Sequence, residues 1–530
     1  MIPLRLLLWQ GRVSDADTHV LKEKGKVIRG VCTAAGPRYH RLMAAEVAWH
    51  QTPAAPGTTP SAREPDQRSA TIAAVALTAF ALLAWAVARR SGFYDPWAII
   101  LAFGALVVAG IGLRLEPSPQ LGARAAAALP FLLAALIAGL LIDHLHRLPV
   151  LYPSPDANLT VFRAGILAAG LIAASYALPA LLRPALRFPA LAAVAALLGS
   201  WSITASPAPH IDTWVFHQRA AGLLLERQNP YEASYPNIYT QRQAEQFYGS
   251  ARVRDGRFVY HYNYPPASIL AMVPGFLLLG DIRWSLLAAT IGAAALTRAA
   301  CRRLGAPPGH ACELALAALL LHPRGFFVLE LSWSDPLLLL GLTAVVWTLA
   351  GERGRCWRTV ALAGLLAVKQ YSVLSVLTLW AARRTNARAI LTAVALAAAV
   401  ALPFVMWGPR VFFHGVILFL WSTPARADAL ALGAVFPQVF GWTPPPLVLS
   451  VAGIGAALGV GTLLARASRA SLSAFLLYAA TVHLAFFLFN KYAFANYHWF
   501  IGSLFSLSAA VAMAERAGAR PGGSAPLPAT

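Results

Sequence analysis

The sequence predicts an all-α polytopic membrane protein, a bundle of about 12 membrane elements with a long polar loop on its outer side. Of its 530 residues, 58% are hydrophobic and 12% are charged, whereas a soluble core of that size would need far more polar surface. Apolar stretches close to bilayer length recur, each bounded by Arg, Pro or Gly. These stretches do not alternate in polarity, which indicates helices and not a membrane barrel.

The net charge of +21 does not indicate a nucleic-acid partner. Arginines cluster at the ends of apolar segments, the positive-inside pattern of helical membrane proteins. Only five of the 43 basic residues are lysines, which suggests a high-GC bacterial genome and hence the plasma (inner) membrane of a bacterium. The four cysteines have neither metal-site nor disulfide spacing. The arginine clusters are 302–303, 353–358, 383–388, 466–469 and 516–520.

The N-terminal part divides into a polar tail and a set of spans. Residues 1–69 are polar and read as a flexible cytoplasmic tail. Five apolar segments follow, and five crossings from a cytoplasmic N-terminus place the next loop outside the cell. These segments lie near 70–88, 97–113, 125–143, 162–182 and 187–205.

The loop 206–266 is polar and aromatic, and it holds seven of the fifteen tyrosines. It opens with His210-Ile-Asp212, continues through Gln228-Asn229-Pro-Tyr231 and returns to the membrane at Tyr262-Asn-Tyr264-Pro-Pro266. The aromatic side chains suit either stacking on sugar rings or an interfacial aromatic belt. We expect chemistry at Asp212, because this carboxylate lies near the start of a long polar loop in an otherwise apolar chain.

The segments after the loop are less regular. Residues 267–279 are short and read as interfacial or broken, whereas 285–300 is a fuller span. Segments 311–322 and 335–350 frame an outer turn. Segment 359–381 has arginines at both ends and Lys369 at its centre, which predicts a re-entrant hairpin or one ordinary crossing. Later spans lie near 389–408, 447–465, 472–489 and 498–514, before a cytoplasmic tail at 515–530.

Asp212 has two compatible interpretations. It can cap the helix that the apolar spacing predicts over 213–227. It can also serve as a general base at the membrane surface, where partial desolvation would bring its pKa towards working pH. No acidic pair on the outer side demands a divalent metal, so no metal site or other cofactor is predicted.

Lys369 and Lys491 lie in or against apolar segments, where a charge costs roughly 2.5–3.5 kcal/mol on insertion scales. Each either extends to an interface or binds an anion, most naturally a lipid phosphate. Arg324 could share that role as a planar donor. Glu330 and Asp335 would be counter-ions or supporting acids. The remaining polar candidates near these lysines are Gln370, Tyr371 and His498.

The order of these motifs resembles glycosyltransferase family 87, polytopic enzymes of the GT-C class that include bacterial polyprenyl-phosphomannose-dependent α-mannosyltransferases. The resemblance covers roughly residues 187–510 and implies a catalytic membrane domain over 187–514, with helices 70–186 as an N-terminal addition. It departs from the family in those extra spans and in lacking a mid-chain Gly-Gln motif. The motifs are Asp212, Ala220-Ala-Gly-Leu-Leu, Asn229-Pro-Tyr231, Tyr264-Pro-Pro266, Lys369-Gln-Tyr371 and Asn490-Lys…Asn496-Tyr497.

The resemblance implies transfer of a sugar, with mannose favoured, from a polyprenyl-phosphate donor to a lipid or glycan acceptor on the extracytoplasmic face. Asp212 would be the base of an inverting reaction, and Lys369, Lys491 and Arg324 would bind the donor phosphate. Substrate contacts would come from His210, Asn229, Tyr231, Tyr264, Gln370, Tyr371 and His498. The alternative from another class is a non-enzymatic transporter or lipid flippase, although no internal repeat between halves is visible.

Overall fold

The computed structural model of the chain describes residues 63–116, 118–249, 253–254, 256–258, 262–351 and 354–519. Nearly all of this part is helical, and eight helices are long and apolar enough to cross a membrane. The prediction of a helical, multi-pass membrane protein is therefore confirmed at this level. Residues 1–62 of the predicted tail 1–69, and the last residues of the C-terminal tail, lie outside the described ranges, whereas 63–69 belong to the first helix.

The five segments predicted before the loop are all helices. Proline at the first turn starts α2, α3 and α5, a position where its missing N–H is not needed. Asp95 caps α2 and also pairs with Arg89 at 2.7 Å, which closes the turn between the first two helices. α1 begins ahead of the predicted boundary at 70. The helices are α1 (Arg63–Arg90), α2 (Pro96–Arg114), α3 (Pro119–His146), α4 (Leu159–Ala174) and α5 (Pro184–Ala205).

The outer loop is folded, and part of it departs from an all-α structure. It contains α6 (Asp212–Leu225), α7 (Gln241–Tyr248) and three two-residue strands in the antiparallel order β1-β3-β2. Buried aromatic rings, among them Phe216, Tyr231 and Tyr262, form a small core beneath these elements. This core orders a segment that has few long apolar runs of its own. The strands are β1 (Tyr235–Pro236), β2 (Val253–Arg254) and β3 (Arg257–Phe258).

Between the outer loop and the last three helices, the described residues form ten α-helices, and π-helical turns lie at His414–Leu418 and Phe436–Phe440. α8 is only 14 residues long, and its C-terminal end is held to α6, since Gln218 donates to the Gly280 carbonyl at 2.6 Å. This arrangement favours the interfacial interpretation of 267–279. The helices are α8 (Pro266–Leu279), α9 (Arg283–Arg303), α10 (Cys312–Leu320), α11 (Gly325–Glu330), α12 (Asp335–Leu349), α13 (Arg355–Val368), α14 (Ser372–Ala381), α15 (Ala387–Trp407), α16 (Pro409–Phe413) and α17 (Phe419–Ser422).

The last three helices are α18 (Pro446–Leu464), α19 (Leu472–Leu488) and α20 (Ala495–Gly518). α20 lies at the centre of the bundle, because 94% of its most apolar stretch is buried inside the protein. It packs against α1, α10 and α19 through alanine, serine and phenylalanine side chains. Small residues allow the helix backbones to approach closely, which is how helices associate where lipid replaces water.

The two ends of the bundle differ in character. At one end, which we call the arginine-rich end, Arg303 donates to the Trp347 carbonyl at 2.9 Å and Arg384 donates to the Arg469 carbonyl at 3.3 Å. Glu515 accepts the Leu472 amide there at 2.9 Å. The loop 206–266 and its neighbours occupy the opposite end. By the positive-inside rule the arginine-rich end is predicted to face the cytoplasm.

The segment 359–381 folds as a helical hairpin, which favours the re-entrant alternative over a single crossing. α13 stops at Val368, Lys369–Tyr371 form the tip, and α14 returns from it. Arg384, just past α14, lies within electrostatic reach of both Arg358 in the first turn of α13 and Glu515. The hairpin therefore enters and leaves the bundle at the arginine-rich end. With 14 residues, α13 is roughly 21 Å long, too short to cross a 30 Å hydrocarbon layer.

Candidate functional site

A cavity of about 580 Å³ opens beneath the outer loop, at the end of the bundle opposite the arginine-rich end. That volume is in the range of small-molecule sites. The lining combines apolar and aromatic side chains with a few polar groups that the sequence places far apart. Among the predicted site residues it includes His210, Asp212, Tyr264, Lys369, Gln370, Tyr371 and Lys491.

Asp212 is the first residue of α6, with Ile211 at the N-cap position. Its Oδ1 accepts the amide of Thr213 at 2.7 Å, so the capping interpretation survives as a first-turn contact. Burial raises the pKa of Asp212 to about 6, while the Thr213 amide, the charge of Arg426 and the phenol of Tyr239 act against that rise. A carboxylate with such a pKa is mostly ionised at pH 7 and is still basic enough to take a proton.

Lys369 is buried and paired. Its Nζ donates to Asp335 Oδ2 at 2.6 Å, and Asn496 Nδ2 donates to the same oxygen at 2.8 Å. The Tyr371 hydroxyl donates to the other oxygen of Asp335. Asp335 is thus the counter-ion of Lys369, which is one of the two roles predicted for it. The hairpin tip brings Lys369 to the first turn of α12, which explains how a lysine is tolerated at this depth.

Aromatic rings enclose the Lys369 ammonium. Its Nζ lies 5.2 Å from the ring centroid of Tyr371, 5.3 Å from that of Tyr497 and 6.0 Å from that of Tyr264. These distances allow cation–π attraction, which desolvation strengthens. The rings and Asp335 together hold the ammonium at the cavity wall.

Lys491 reaches the cavity from the loop between α19 and α20. Its Nζ donates to the carbonyls of Leu420 at 2.5 Å and Thr423 at 3.0 Å. These oxygens lie just past the π-helical turn, where the backbone leaves regular α-helix. Carbonyl groups orient an ammonium without cancelling its charge.

Two other predicted residues have defined positions in the cavity wall. The His210 ring lies edge-on to the rings of Tyr152, at 6.2 Å, and Tyr239, at 6.0 Å. The Gln370 amide donates to the carbonyls of Asn263 at 2.8 Å and Val416 at 3.1 Å. Gln370 therefore holds the hairpin tip to Asn263 at the end of the outer loop and to Val416 in the π-helical turn.

Three predicted substrate contacts do not line the cavity. The Asn229 side chain accepts the Tyr231 amide at 3.0 Å, and the Tyr231 hydroxyl donates to the Tyr264 carbonyl at 2.7 Å. Both residues therefore stabilise the fold of the outer loop. His498 is buried inside α20, with its Nε2 2.9 Å from the Leu430 carbonyl. Each of these side chains hydrogen-bonds to a backbone group and lies outside the cavity wall, and substrate contact by them stays a prediction.

Arg324 and Glu330 also lie away from the cavity. The Arg324 guanidinium donates to the carbonyl of Pro323 and lies 3.9 Å from Asp143 in α3. Glu330 accepts the amides of Leu151, at 2.5 Å, and Tyr152, at 2.7 Å, so it fixes the connection between α3 and α4. The structure therefore brings neither Arg324 nor Glu330 to the cavity, and their predicted roles stay predictions.

Several residues of the cavity wall were not among the predicted site residues. Arg426 forms a two-point contact with Asp428 at 2.8 and 2.7 Å, and its guanidinium lies 3.9 Å from the Phe247 ring centroid. Tyr239 and Trp333 complete the wall near Asp212. The signal for Arg426 was an Arg-x-Asp sequence in a polar stretch between two apolar spans.

Fold and site together define a multi-pass helical membrane protein with a polar, aromatic cavity at one end of its bundle. No protein-family model, no curated protein and no solved structure matches the chain. Among the described residues, no group of three or more His, Cys, Asp or Glu side chains is arranged to hold a metal ion.

Proposed function

We propose that this protein is an integral-membrane glycosyltransferase of the GT-C type. It moves a sugar, with mannose favoured, from a polyprenyl-phosphate donor to a lipid or glycan acceptor on the extracytoplasmic face, with inversion. The observation that carries the proposal is that Asp212, Lys369 and Lys491, from three separate parts of the chain, line one cavity. About 12 membrane elements, counting shorter helices beside the eight long ones, would complete the bundle.

In this proposal Asp212 deprotonates the acceptor hydroxyl as its oxygen attacks the anomeric carbon. The bond between that carbon and the phosphate oxygen of the donor breaks on the opposite face. The leaving phosphate is already a weak base, so no acid is required to protonate it, and one carboxylate is enough. The raised pKa of Asp212, about 6, suits a base that works near neutral pH.

The cationic groups would bind the donor phosphate. Lys491 is held at the cavity wall by the carbonyl oxygens of Leu420 and Thr423. The charge of Lys369 is balanced by Asp335, so it would act as a fixed hydrogen-bond donor more than as a net attractor. Arg426, which lines the cavity where Arg324 does not, would be the third cationic group that binds the phosphate. Such preorganised donors stabilise charge that develops on a leaving oxygen.

The aromatic wall supports a sugar ligand. Tyr264, Tyr371, Tyr497 and Trp333 all border the cavity near Lys369 and Asp212. Rings of this kind present flat apolar faces with polar edges, which suits the apolar face and hydroxyl edge of a pyranose.

The test is transfer of labelled sugar from a polyprenyl-phosphate donor in membranes that contain the protein. We expect Asp212→Asn to lower the transfer rate by about 10²- to 10⁴-fold, the usual contribution of a general base. Glu226→Gln is the matched control, because Glu226 is an exposed carboxylate at the far end of the same helix. Undiminished transfer by Asp212→Asn would refute the base. Labelled lipid that changes leaflet without transfer of its sugar would indicate the transporter or flippase class instead.

A further inference from the structure

A second cavity, of about 590 Å³, lies between α1 and α3, away from the candidate site. Its walls are apolar or small, with Ala81 and Ala84 on α1 facing Ala135 and Gly139 on α3. Ala135 and Gly139 are solvent-accessible, and a Cβ added at Gly139 would meet nothing within 4 Å. Small side chains in a row thus leave a groove open on the flank of the bundle.

The length of this groove matches one leaflet of a bilayer. It extends along α1 from Leu77 to Ala88, which at 1.5 Å per residue is roughly 16 Å. Half of a 30 Å hydrocarbon core is about 15 Å. Trp85, 59% exposed, stands at the mouth of the groove, and both flanking helices are long enough to span a membrane. The groove therefore faces acyl chains along most of its length.

One end of the groove is charged. Arg147 Nε lies 2.9 Å from Asp143 Oδ1, and Arg324 Nη1 lies 3.9 Å from Asp143 Oδ2. Two guanidinium groups share one carboxylate, so this end carries an excess positive charge, with His146 beside it. Within the described residues, the buried Nε of Arg324 has no hydrogen-bond partner. Arg324 does not itself line the groove, and the Asp143 Oδ2 atom beside it is also without a hydrogen-bond partner among the described residues. Arg147, whose side chain is 43% exposed, is therefore the guanidinium that an anion in the groove can reach.

We infer that the groove binds one anionic phospholipid of the outer leaflet. One acyl chain would lie along Ala81, Ala84 and Gly139, and the phosphodiester would approach Arg147, with the buried charge of Arg324 adding to the positive potential there. The length of the groove selects a chain that ends near the bilayer midplane, and the excess charge selects an anionic over a zwitterionic headgroup. This site gives the N-terminal helices α1 and α3 a function that does not depend on sugar transfer.

The test uses the purified full-length chain in detergent, titrated with phosphatidylglycerol or phosphatidylcholine and followed by native mass spectrometry. We expect phosphatidylglycerol to bind at least fivefold more tightly than phosphatidylcholine. Gly139→Leu fills the groove and should weaken binding at least tenfold. Gly110→Leu is the matched control, because a Cβ there also meets open space, but on α2 and outside the groove.

Arg147→Gln should abolish the preference for phosphatidylglycerol while leaving residual binding of both lipids. Equal affinities of the wild-type chain for the two phospholipids would overturn the inference, and this comparison needs no variant. Equal loss of binding in Gly139→Leu and Gly110→Leu would overturn the location. A polyprenyl phosphate that displaces phosphatidylglycerol from the wild type but not from Gly139→Leu would overturn the assignment to a phospholipid.

Discussion

The rate of sugar transfer should fall as pH falls through about 6, because burial raises the pKa of Asp212 to about 6 and the proposed base acts only when ionised. Tyr239 tests this reasoning. Its hydroxyl lies beside Asp212, 3.3 Å from the backbone nitrogen, and it opposes the rise in the pKa of the carboxyl. Tyr239→Phe removes that opposition, so the pKa of Asp212 should rise further.

The size of the shift follows from the hydrogen bond that is lost. A hydrogen bond to a charged group contributes about 1.5–3 kcal/mol, and one pKa unit corresponds to about 1.4 kcal/mol. A rise of about one unit would lower the ionised fraction at pH 6 about fivefold, whereas at pH 8.5 the two proteins should differ by less than about 10%. In the wild type, transfer at pH 5 should be about tenfold slower than at pH 7.5.

The assay is the initial rate of transfer in membranes at saturating donor, measured from pH 5 to pH 8.5 for the wild type and Tyr239→Phe. Tyr235→Phe is the control, because its hydroxyl donates to the Pro230 carbonyl at 2.8 Å and not to Asp212. A wild-type inflection below pH 5 would refute the raised pKa. An inflection that stays in place in Tyr239→Phe would refute the role of the phenol.

Two further predictions concern stability. Asp335→Asn leaves the buried ammonium of Lys369 without its carboxylate and should cost about 3–5 kcal/mol, seen as a large fall in Tm. Asp428→Asn, at a more exposed pair, should cost about 1 kcal/mol or less, and an equal fall for both would contradict the argument. Gly92→Ala should destabilise strongly, because its φ is +77° and the new Cβ would lie 2.5 Å from the Ala495 nitrogen. Gly441→Ala has a similar φ of +73° in open space and should cost only about 1 kcal/mol; similar Tm values for the two variants would refute the packing argument.

The sequence predicted the parts of this protein that depend on hydrophobicity and charge. Apolar length and arginine flanks located the membrane helices, and they predicted the hairpin tip at Lys369 as one of two alternatives. The cost of a buried ammonium correctly suggested an acidic partner for Lys369, and Asp335 is that partner. The expectation that Asp212 and Lys369 line one cavity also holds.

The sequence could not predict which polar side chains face the cavity. Asn229, Tyr231 and His498 are polar residues in aromatic or apolar surroundings, and each instead satisfies a backbone group of a neighbouring segment. Whether such a side chain turns inward or outward depends on tertiary packing, which spacing along the chain does not specify. Arg324 lies outside the cavity wall for the same reason, since its partner Asp143 comes from one of the additional helices.

The helical hairpin at 359–381 has a consequence for how the protein is made. Neither α13 nor α14 is long enough to cross a bilayer, and a lysine at the tip costs roughly 2.5–3.5 kcal/mol on insertion scales. Asp335 is synthesised before Lys369, but Asn496, which helps to hold that carboxylate, emerges from the ribosome only near the end of translation. The hairpin is therefore expected to reach its final position late in biogenesis, when α20 enters the centre of the bundle and the cavity is completed.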